Sequence, residues 1–477
     1  MPVSPSYQPS VAHQDLGGHF YDEVAAADFP RRDLRFRNDR AAATVGLAAL
    51  SDAEWVDHFG RFTPLPGNLP TPLALRYHGH QFRSYNPNLG DGRGFLFAQL
   101  HEAESGRLLD LATKGSGRTP WSREGDGRLT LKGGVREVLA AEMLEALGVS
   151  TSRAFSLIET GEKLMRNDEP SPTRSAVLVR LGHSHMRIGT FQRFAHLEQR
   201  ENLQKLIDHC IRHYYPNLAG ETGTARVSAF FAAVCASVAL TGAHWLAAGF
   251  VHGVLNSDNI NVTGESFDYG PWRFIPTFDV DFVAAYFDRA GIYAFGKQPT
   301  ALVWNLARLG ECLTDLAPPE ELAQAQGLFA PILQREFSNA LIARCGLIPQ
   351  GPAKDDVLVP ALYGFLAASG AGFEQIFFDW FGGETSAERA KRSPQAALYE
   401  REDFLVVRRA WDGYAPRRPD ALSLDYFSRD KPCSMLIDEM EALWTPIAEV
   451  DDWSAFHAKL ADIREMAAAY GLETPAV

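Results

Sequence analysis

Cysteine is scarce in this chain. The 477 residues include five cysteines, which are widely spaced and odd in number, and no two of them form a Cys-x-x-Cys pair. This usage is typical of a protein with buried thiols in a reducing compartment. It gives no indication of a zinc site.

Basic residues are also fewer than acidic residues. Lysine and arginine total 46 against 59 aspartates and glutamates, which gives a formal net charge of -13. A general nucleic-acid-binding protein would be basic, so we expect no nucleic-acid partner. Hydrophobic residues make up 46% of the chain, which is enough for a large core divided between two lobes or domains.

The N-terminus has no charged leader with an apolar core, and no arginine precedes Arg31. We therefore expect neither a secretory signal nor a mitochondrial presequence. Residues 227–257 contain no Asp, Glu, Lys or Arg and are numerous enough to span a bilayer. Because this stretch contains Gly242, His244 and Gly249 and leads into a polar loop, it is predicted to be a buried core helix. The protein is expected to be cytoplasmic, with no membrane partner.

The most informative stretch is His252-Gly-Val-Leu-Asn-Ser-Asp-Asn259, followed by Asp268-Tyr-Gly270. In protein kinases the catalytic loop reads His-Arg-Asp-x-x-x-x-Asn and precedes Asp-Phe-Gly. The spacing of His252 and Asn259 is the same, and a strand is predicted at 260–262. An asparagine and aspartates at strand ends can hold a divalent metal against nucleotide phosphates. Val254, however, stands where kinases have the catalytic aspartate, and valine cannot accept a proton.

A glycine-rich turn precedes the first clear strands. Gly90-Asp-Gly-Arg-Gly94 is followed by an apolar run at 95–100, a turn, and a second run that ends at Lys114. The two runs predict a β-hairpin. Glycines before a strand let backbone amides approach phosphates, although an isolated Gly-x-Gly-x-Gly is more often a simple turn. Leu111-Ala-Thr-Lys114 resembles the kinase Val-Ala-Ile-Lys strand, whose lysine contacts the phosphates.

Two groups of basic residues stand out in this acidic chain. Arg118, Arg123, Asp126-Gly-Arg128 and Lys132 form a glycine-rich stretch, which is either an anion-binding loop or a solvated one. Further on, Arg180 and Arg187 flank a turn. Paired arginines suit bidentate recognition of phosphate, and surface ion pairs are the alternative.

An amphipathic helix is predicted after the basic stretch. Apolar residues recur at helical spacing from Val135 to Leu147, and Gly148 ends the run. Glu137 near the start of this helix is expected to pair with Lys114, as the glutamate of the kinase αC helix pairs with its lysine. Glu142 and Glu145 are the alternatives.

Three parts are expected along the chain. Residues 1–75 are rich in proline and mostly irregular, with one short helix capped by Ser51 and Glu54, and are predicted to be an extension packed on the core. Residues 76–195 are expected to form a nucleotide-binding lobe. Residues 196–477 are predicted to be mostly helical and to contain the loop at 252–259.

These blocks together resemble the selenoprotein O family. The Gly90-Asp-Gly-Arg93, Lys114-Gly, Gly125-Asp-Gly-Arg128 and Arg136-Glu137 blocks and the 252–270 stretch match its pattern in order. The resemblance implies an α+β, protein-kinase-like two-lobed fold, with a small β-rich N-lobe, one αC-like helix and a large helical C-lobe. It also implies that ATP binds in a flipped orientation and that AMP is transferred to Ser, Thr or Tyr hydroxyls of proteins.

The resemblance also implies roles for individual residues. The residues implied to bind the nucleotide are Gly90, Gly92, Arg93, Lys114, Asp126, Gly127, Arg180, Arg187 and Asp268. Asn259 and Asp268 are implied to bind Mg²⁺ or Mn²⁺, and Asp258 is implied to accept a proton. A general base of this kind contributes about 10²–10⁴-fold to a rate. The alternative role for Asp258 is that of a hydrogen-bond acceptor within its loop.

Two other functions fit part of the pattern. A kinase similar to the aminoglycoside phosphotransferases would have a comparable loop, but it would carry aspartate at the position of Val254. A non-catalytic ATP-binding scaffold would tolerate the loss of Asn259 and Asp268, and both are present.

Overall fold

Thirteen strands and fifteen α-helices, besides short 3-10 turns, are found in the computed structural model, which describes residues 4–473. The strands are β1 (Pro9–Ser10), β2 (Tyr21–Glu23), β3 (Asp33–Arg37), β4 (Leu73–Leu75), β5 (Gly79–Gln81), β6 (Ser84–Asn86), β7 (Leu96–His101), β8 (Leu108–Lys114), β9 (Leu129–Thr130), β10 (Arg153–Leu164), β11 (Thr173–Gly182), β12 (Phe250–Val251) and β13 (Arg273–Phe274). The helices are α1 (Asp39–Thr44), α2 (Asp52–Gly60), α3 (Leu131–Ala146), α4 (Ile188–His196), α5 (Arg200–Tyr214), α6 (Gly223–Ala247), α7 (Gln298–Cys312), α8 (Pro319–Gly327), α9 (Phe329–Arg344), α10 (Pro352–Ser369), α11 (Phe373–Asp379), α12 (Ala387–Ala390), α13 (Glu402–Ala410), α14 (Ile437–Val450) and α15 (Ser454–Tyr470). This content confirms the predicted α+β class.

Nine strands form one antiparallel sheet with the order β2-β4-β7-β8-β11-β10-β3, to which β1 adds beside β7 and β9 beside β11. Strands β7 and β8 are the predicted hairpin, with Leu100 opposite Leu109. Side chains of β8 alternate between two cores, because Leu108 packs in the core that contains α3, whereas Leu109 and Leu111 pack in another. Lys114 is an even number of residues from Leu108 and therefore faces α3.

Four strands from the first 75 residues belong to this sheet. The sequence predicted a mostly irregular segment, whereas β1, β2, β3 and β4 all pair within the nine-stranded sheet. These strands are two to five residues long, too short to show an alternating pattern. The predicted short helix is α2, and its capping box is present, since Ser51 Oγ accepts from Glu54 N and the Glu54 carboxylate accepts from Ser51 N.

Trp55 of α2 links the N-terminal segment to the core. Its indole is fully buried, stacks on Phe155 at a ring-centroid distance of 4.8 Å, and donates a 2.9 Å hydrogen bond to Ser156 Oγ. Trp55→Ala is expected to lower the free energy of unfolding by about 3–5 kcal/mol, because it removes this packing and leaves a cavity. Chemical denaturation measures the loss. Met165→Ala, at a side chain that is 71% exposed, is the control, and a Trp55→Ala curve that matches it would contradict the prediction.

Helix α6 lies at the centre of the helical part and packs against α7, α8 and α9. Within residues 4–473 it is the one helix that is long and apolar enough to cross a membrane, and 61% of its apolar window is buried inside the protein. The lack of charged residues in α6 from Val227 onwards is therefore accounted for by burial, as predicted for a core helix.

Some predicted elements differ in the structure. The helical part, predicted over 196–477, is interrupted in places. Residues 319–344 form two helices, α8 and α9, that are separated at Leu328, and residues 386–397 contain only α12 and short turns. The strand predicted at 260–262 is wrong. Asn261 forms one isolated bridge with Arg187, and the chain then turns back through a 3.0 Å hydrogen bond from Gly264 N to Asn261 O.

Candidate active site

A cleft of about 670 Å³ brings together residues that are far apart in the sequence. Its walls are the glycine-rich turn before β7, the basic loop between β8 and β9, and the loop that follows β12. The predicted site residues that line this central cleft are Gly90, Gly92, Arg93, Asp126, Gly127, Asp258, Asn259 and Asp268. Val254 lines it as well.

Lys114 and Arg180 lie behind Asp268 and contact it directly. Lys114 Nζ donates to Glu137 Oε1 and, at 2.6 Å, to Asp268 Oδ1. Arg180 NH1 donates to the same Asp268 oxygen at 3.2 Å and lies 3.6 Å from Glu137 Oε2. The contact arises because β8 and β11 are neighbours in the sheet and α3 covers their shared face.

The structure brings Glu137, and neither of its alternatives, to Lys114. Glu142 accepts a hydrogen bond from Asn38 and lies 3.7 Å from Arg40, whereas Glu145 pairs with Arg40. Lys114 and Glu137 are both buried. Because a buried charge needs a partner, the pair fixes the orientation of α3 relative to the sheet.

Asp268 is held ionised and in a strained backbone conformation. Burial alone would raise the pKa of its carboxyl, but Lys114, Arg180 and Arg93 more than offset burial and hold the pKa well below its ordinary value. Its φ of +66° lies in the left-handed region, which costs a non-glycine residue about 1–2 kcal/mol. A strained residue within a fixed charge cluster is typical of a functional position.

Asp258 presents an oxygen that has no protein partner. It lies on the one-turn segment Ser257–Asn259, and its Oδ1 is buried without a hydrogen bond from any residue in 4–473. Arg187 donates to the Asp258 backbone oxygen at 3.0 Å and to Asp91 Oδ1 at 3.1 Å. Burial, opposed by the positive charge of Arg187, raises the pKa of Asp258 to about 6. Asp258 also lines the central cleft, so its carboxyl group is at the place where a substrate would bind.

Three residues that the sequence did not single out support Asp258. Ser257 Oγ accepts from His80 N at 2.7 Å and donates to Gln192 Oε1 at 2.5 Å. Gly79 of β5 faces Asp258, and a Cβ atom there would lie 3.2 Å from Asp258 Oδ1. Ser257 lies inside the motif, which was a usable signal, whereas Gly79 and Gln192 carry none because only the tertiary fold brings them near.

His252 and Asn259 hold the loop in shape. Buried His252 Nε2 donates to the Phe267 backbone oxygen at 2.9 Å, which ties the loop to the residue before Asp268. Asn259 Nδ2 donates to the Val254 backbone oxygen at 3.1 Å. That hydrogen bond uses the amide nitrogen of Asn259, so its carbonyl oxygen remains available to a ligand.

The donors around this loop suit a hard divalent cation. The Asn259 carbonyl oxygen and the second oxygen of Asp268 both belong to residues on the wall of the central cleft. Mg²⁺ binds through one or two carboxylates together with substrate phosphates and retained waters. Within residues 4–473, no group of three or more His, Cys, Asp or Glu side chains could hold a metal, so a cation here would need substrate oxygens as ligands.

Close packing and backbone conformation explain why glycines occur in the wall of the central cleft. A Cβ atom at Gly90 would lie 2.4 Å from Trp121 Cγ, so only glycine fits against that ring. Gly127 has a φ of +72°, which favours glycine. The Asp126 carboxylate accepts from Arg166 at 2.8 and 3.0 Å. These three residues therefore shape the cleft, whatever they contact in it.

Comparison with known proteins identifies the class. Residues 3–464 match the family model described as protein adenylyltransferase SelO. Two proteins named protein nucleotidyltransferase YdiU are similar over nearly their whole lengths. The one from Gloeobacter violaceus is 43% identical over 470 residues, which cover 96% of this chain and 95% of that protein. The one from Synechocystis sp. is 42% identical over 467 residues, which cover 95% of this chain and 96% of that protein.

The chain belongs to the SelO family of protein adenylyltransferases. This confirms the family resemblance based on the 90–93, 114, 125–128, 136–137 and 252–270 blocks, and the chain is an enzyme of the nucleotidyltransferase class.

Proposed function

We propose that this enzyme transfers AMP from ATP to Ser, Thr or Tyr hydroxyls of proteins and that it acts in the cytoplasm. The observation that carries the proposal is the arrangement of two positions in the central cleft. Val254 cannot accept a proton, whereas Asp258 has a buried carboxylate oxygen with no protein partner. A proton acceptor is therefore present four residues from the place where a kinase has it.

The nucleotide is proposed to bind with its terminal phosphates towards Lys114, Arg180 and Arg187. All three cations are buried next to residues that line the central cleft. Lys114 and Arg180 contact the Asp268 carboxylate, and Arg187 contacts the backbone oxygen of Asp258. Arginine grips phosphate with two parallel hydrogen bonds, which suits holding a terminal phosphate more than releasing it. The glycine-rich turn with Arg93, and the loop with Asp126 and Gly127, would contact the remainder of the nucleotide. This is the flipped orientation.

The reaction is then a displacement at the α-phosphorus. The acceptor oxygen forms a bond to that phosphorus while the bond to pyrophosphate breaks, and the hydroxyl proton passes to Asp258. Lys114 and Arg180 stabilise the negative charge on the leaving pyrophosphate. Gly79 leaves room for the Asp258 side chain, and the hydrogen bond between Ser257 and Gln192 holds the loop residue next to it.

A divalent cation, Mg²⁺ or Mn²⁺, is proposed to be held by Asn259 and Asp268. Such a cation neutralises charge on phosphate oxygens. The fixed charge cluster behind Asp268 keeps that carboxylate ionised and hence able to bind a cation.

The arrangement of elements supports a protein-kinase-like, two-lobed fold. Residues 76–195 would be the small lobe, in which α3 corresponds to αC and the Lys114–Glu137 pair to the kinase ion pair. Residues 196–477 would be the helical lobe. The boundary at residue 75 stays a prediction, although strands on both sides of it share one sheet.

The two alternative functions, a kinase and a non-catalytic ATP-binding scaffold, require different features of the cleft. A kinase would require a base near Val254, and the nearest carboxylate of the motif is Asp258. A non-catalytic scaffold would have no use for an unpartnered buried carboxylate, which costs free energy. Both observations favour AMP transfer.

The group that is transferred provides the direct test. With ATP labelled at the α-phosphorus, label is expected to enter protein in the presence of Mg²⁺ or Mn²⁺, because the adenylyl group moves. With ATP labelled at the γ-phosphorus, no label is expected to enter. Scintillation counting of precipitated protein, run in parallel with both labels, measures the difference.

Each contrary outcome identifies one alternative. Incorporation from γ-labelled ATP alone would establish a kinase. No incorporation from either label, in protein that still binds ATP by calorimetry, would establish a scaffold.

A further inference from the structure

A second cavity of about 520 Å³ lies beside the Lys114–Glu137 pair. It is bounded by the first turns of α3 and by the chain that follows Asp268, and both members of the pair line it. Asp258, Asn259 and Asp268 line the central cleft and are not among its lining residues. Lys114 lines this second cavity and also contacts Asp268 of the central cleft, so the two cavities adjoin at Lys114. Arg136 and Arg273, by contrast, line only the second cavity and are not part of the nucleotide site proposed above.

The second cavity contains arginines that lack carboxylate partners. Seven cationic side chains line it. Four of them are paired, in the ion pairs Lys114–Glu137, Arg128–Glu162, Lys132–Glu441 and Arg166–Asp126. Within residues 4–473, Arg93, Arg136 and Arg273 form no ion pair. Arg93 also lines the central cleft, which leaves Arg136 and Arg273 as the two unpaired cations specific to the second cavity.

The positive charges of Arg136 and Arg273 are contacted by backbone oxygens and an aromatic ring, and by no carboxylate in an ion pair. Arg136 lies over the Trp272 ring at 4.9 Å and donates to the backbone oxygens of Gly270 at 3.3 Å and Trp272 at 3.2 Å. Arg273 NH1 donates to the backbone oxygens of Pro271 and Trp272. Burial, and then the positive charge of Arg273, lowers the pKa of Arg136 to about 10. Glu441, the ion-pair partner of Lys132, acts to raise the pKa of both arginines, but the pKa of each stays below its ordinary value. Two guanidinium groups that repel each other and have no ion-pair partner of their own favour binding of an anion.

The free donors of these arginines define the ligand chemistry. A guanidinium has five N–H groups, and the hydrogen bonds above use one nitrogen of each side chain. The remaining N–H groups, in a fork geometry, match the oxygens of a phosphate group. Asp168 and Glu169 also line the cavity, but neither forms an ion pair with Arg136 or Arg273. Within residues 4–473, Arg136 and Arg273 therefore have no ion-pair partner of their own, and Glu441, the nearest acidic influence on both, is already paired with Lys132.

We propose that Arg136 and Arg273 form a second anion site, which binds a phosphate group. The group is either inorganic, as in pyrophosphate, or a phosphomonoester on a side chain. Arg136 holds the backbone oxygen of Gly270, two residues after Asp268, and β13, which contains Arg273, pairs with β12 just before His252. A bound phosphate therefore stabilises the segment that carries the metal-binding aspartate. This last step rests on the proposed function, whereas the binding itself does not.

Calorimetric titration of the full chain tests the binding. The central cleft is first saturated with a non-hydrolysable ATP analogue, and inorganic phosphate, pyrophosphate and O-phosphoserine are then titrated separately. At least one of them is expected to bind saturably at one site, and Arg273→Gln is expected to weaken that binding at least tenfold. Arg289→Gln is the matched control, because Arg289 is exposed, lies on the same segment and lines neither cavity.

Two further measurements keep the test decisive. Arg136→Gln should weaken binding by a similar factor, and thermal unfolding of each variant checks that the fold is intact. Hydrogen exchange of residues 269–273 should slow when the anion is added to the parent chain and not when it is added to Arg273→Gln. Preference for pyrophosphate would identify the reaction product as the ligand, and preference for O-phosphoserine a phosphorylated side chain.

The proposal is overturned if none of the three anions binds saturably, or if Arg273→Gln binds them as the parent chain does. None of these readouts requires AMP transfer. Failure of the proposed function would therefore leave the result of this test unchanged.

Discussion

Asp268→Asn is expected to reduce AMP transfer by at least about 10²–10³-fold, the loss typical of removing one electrostatic group from a transition state. Asparagine keeps the shape of the side chain but removes the charge that Lys114 and Arg180 share. It also replaces the charged one of two proposed cation ligands with a neutral amide, so the metal requirement should shift to higher concentration. Incorporation from α-labelled ATP, measured across a Mg²⁺ and a Mn²⁺ titration, gives both quantities.

A matched control distinguishes the loss of the Asp268 carboxylate from the loss of any negative charge on this segment. Asp279 lies eleven residues further on, is exposed and forms no ion pair within residues 4–473. Asp279→Asn should therefore transfer AMP at the parent rate. Transfer by Asp268→Asn at a rate close to that of Asp279→Asn would remove Asp268 from the reaction. Circular dichroism of both variants confirms that the comparison is between folded proteins.

The part of the site that could be predicted from the sequence is the part that is local in the chain. His252, Val254, Asp258 and Asn259 lie on one loop, so their spacing alone implies that they share a surface. The hairpin that ends at Lys114 was predictable for the same reason, since two apolar runs joined by a short turn have few other arrangements.

Contacts between distant segments could not be predicted in this way. Gly79 and Gln192 support Asp258 only because β5 and α4 pack against the loop, and their own neighbours in sequence give no sign of it. The short N-terminal strands were missed because their pairing partners, and not their own patterns, determine their conformation. The choice of Glu137 over Glu142 likewise depended on which face of α3 meets the sheet.

Asp258→Asn is expected to lower kcat for AMP transfer by about 10²–10⁴-fold, the usual contribution of a general base. The KM for ATP should change little, because Arg187 contacts the backbone oxygen of Asp258 and not its side chain. Folding should also be retained, since the buried Oδ1 has no hydrogen-bond partner within residues 4–473 that the substitution could break. Steady-state kinetics with α-labelled ATP measures kcat and KM separately.

The same variant decides between two roles for Asp258. If the carboxylate were a structural acceptor for its loop, Asp258→Asn would lower the free energy of unfolding and weaken ATP binding together with activity. If it accepts the proton, kcat falls alone. Asp281→Asn, at an exposed aspartate on the segment after Asp268, supplies the control rate. A kcat for Asp258→Asn within a few-fold of that control would contradict the role in proton transfer, because an asparagine side chain cannot take up the proton that leaves the acceptor hydroxyl.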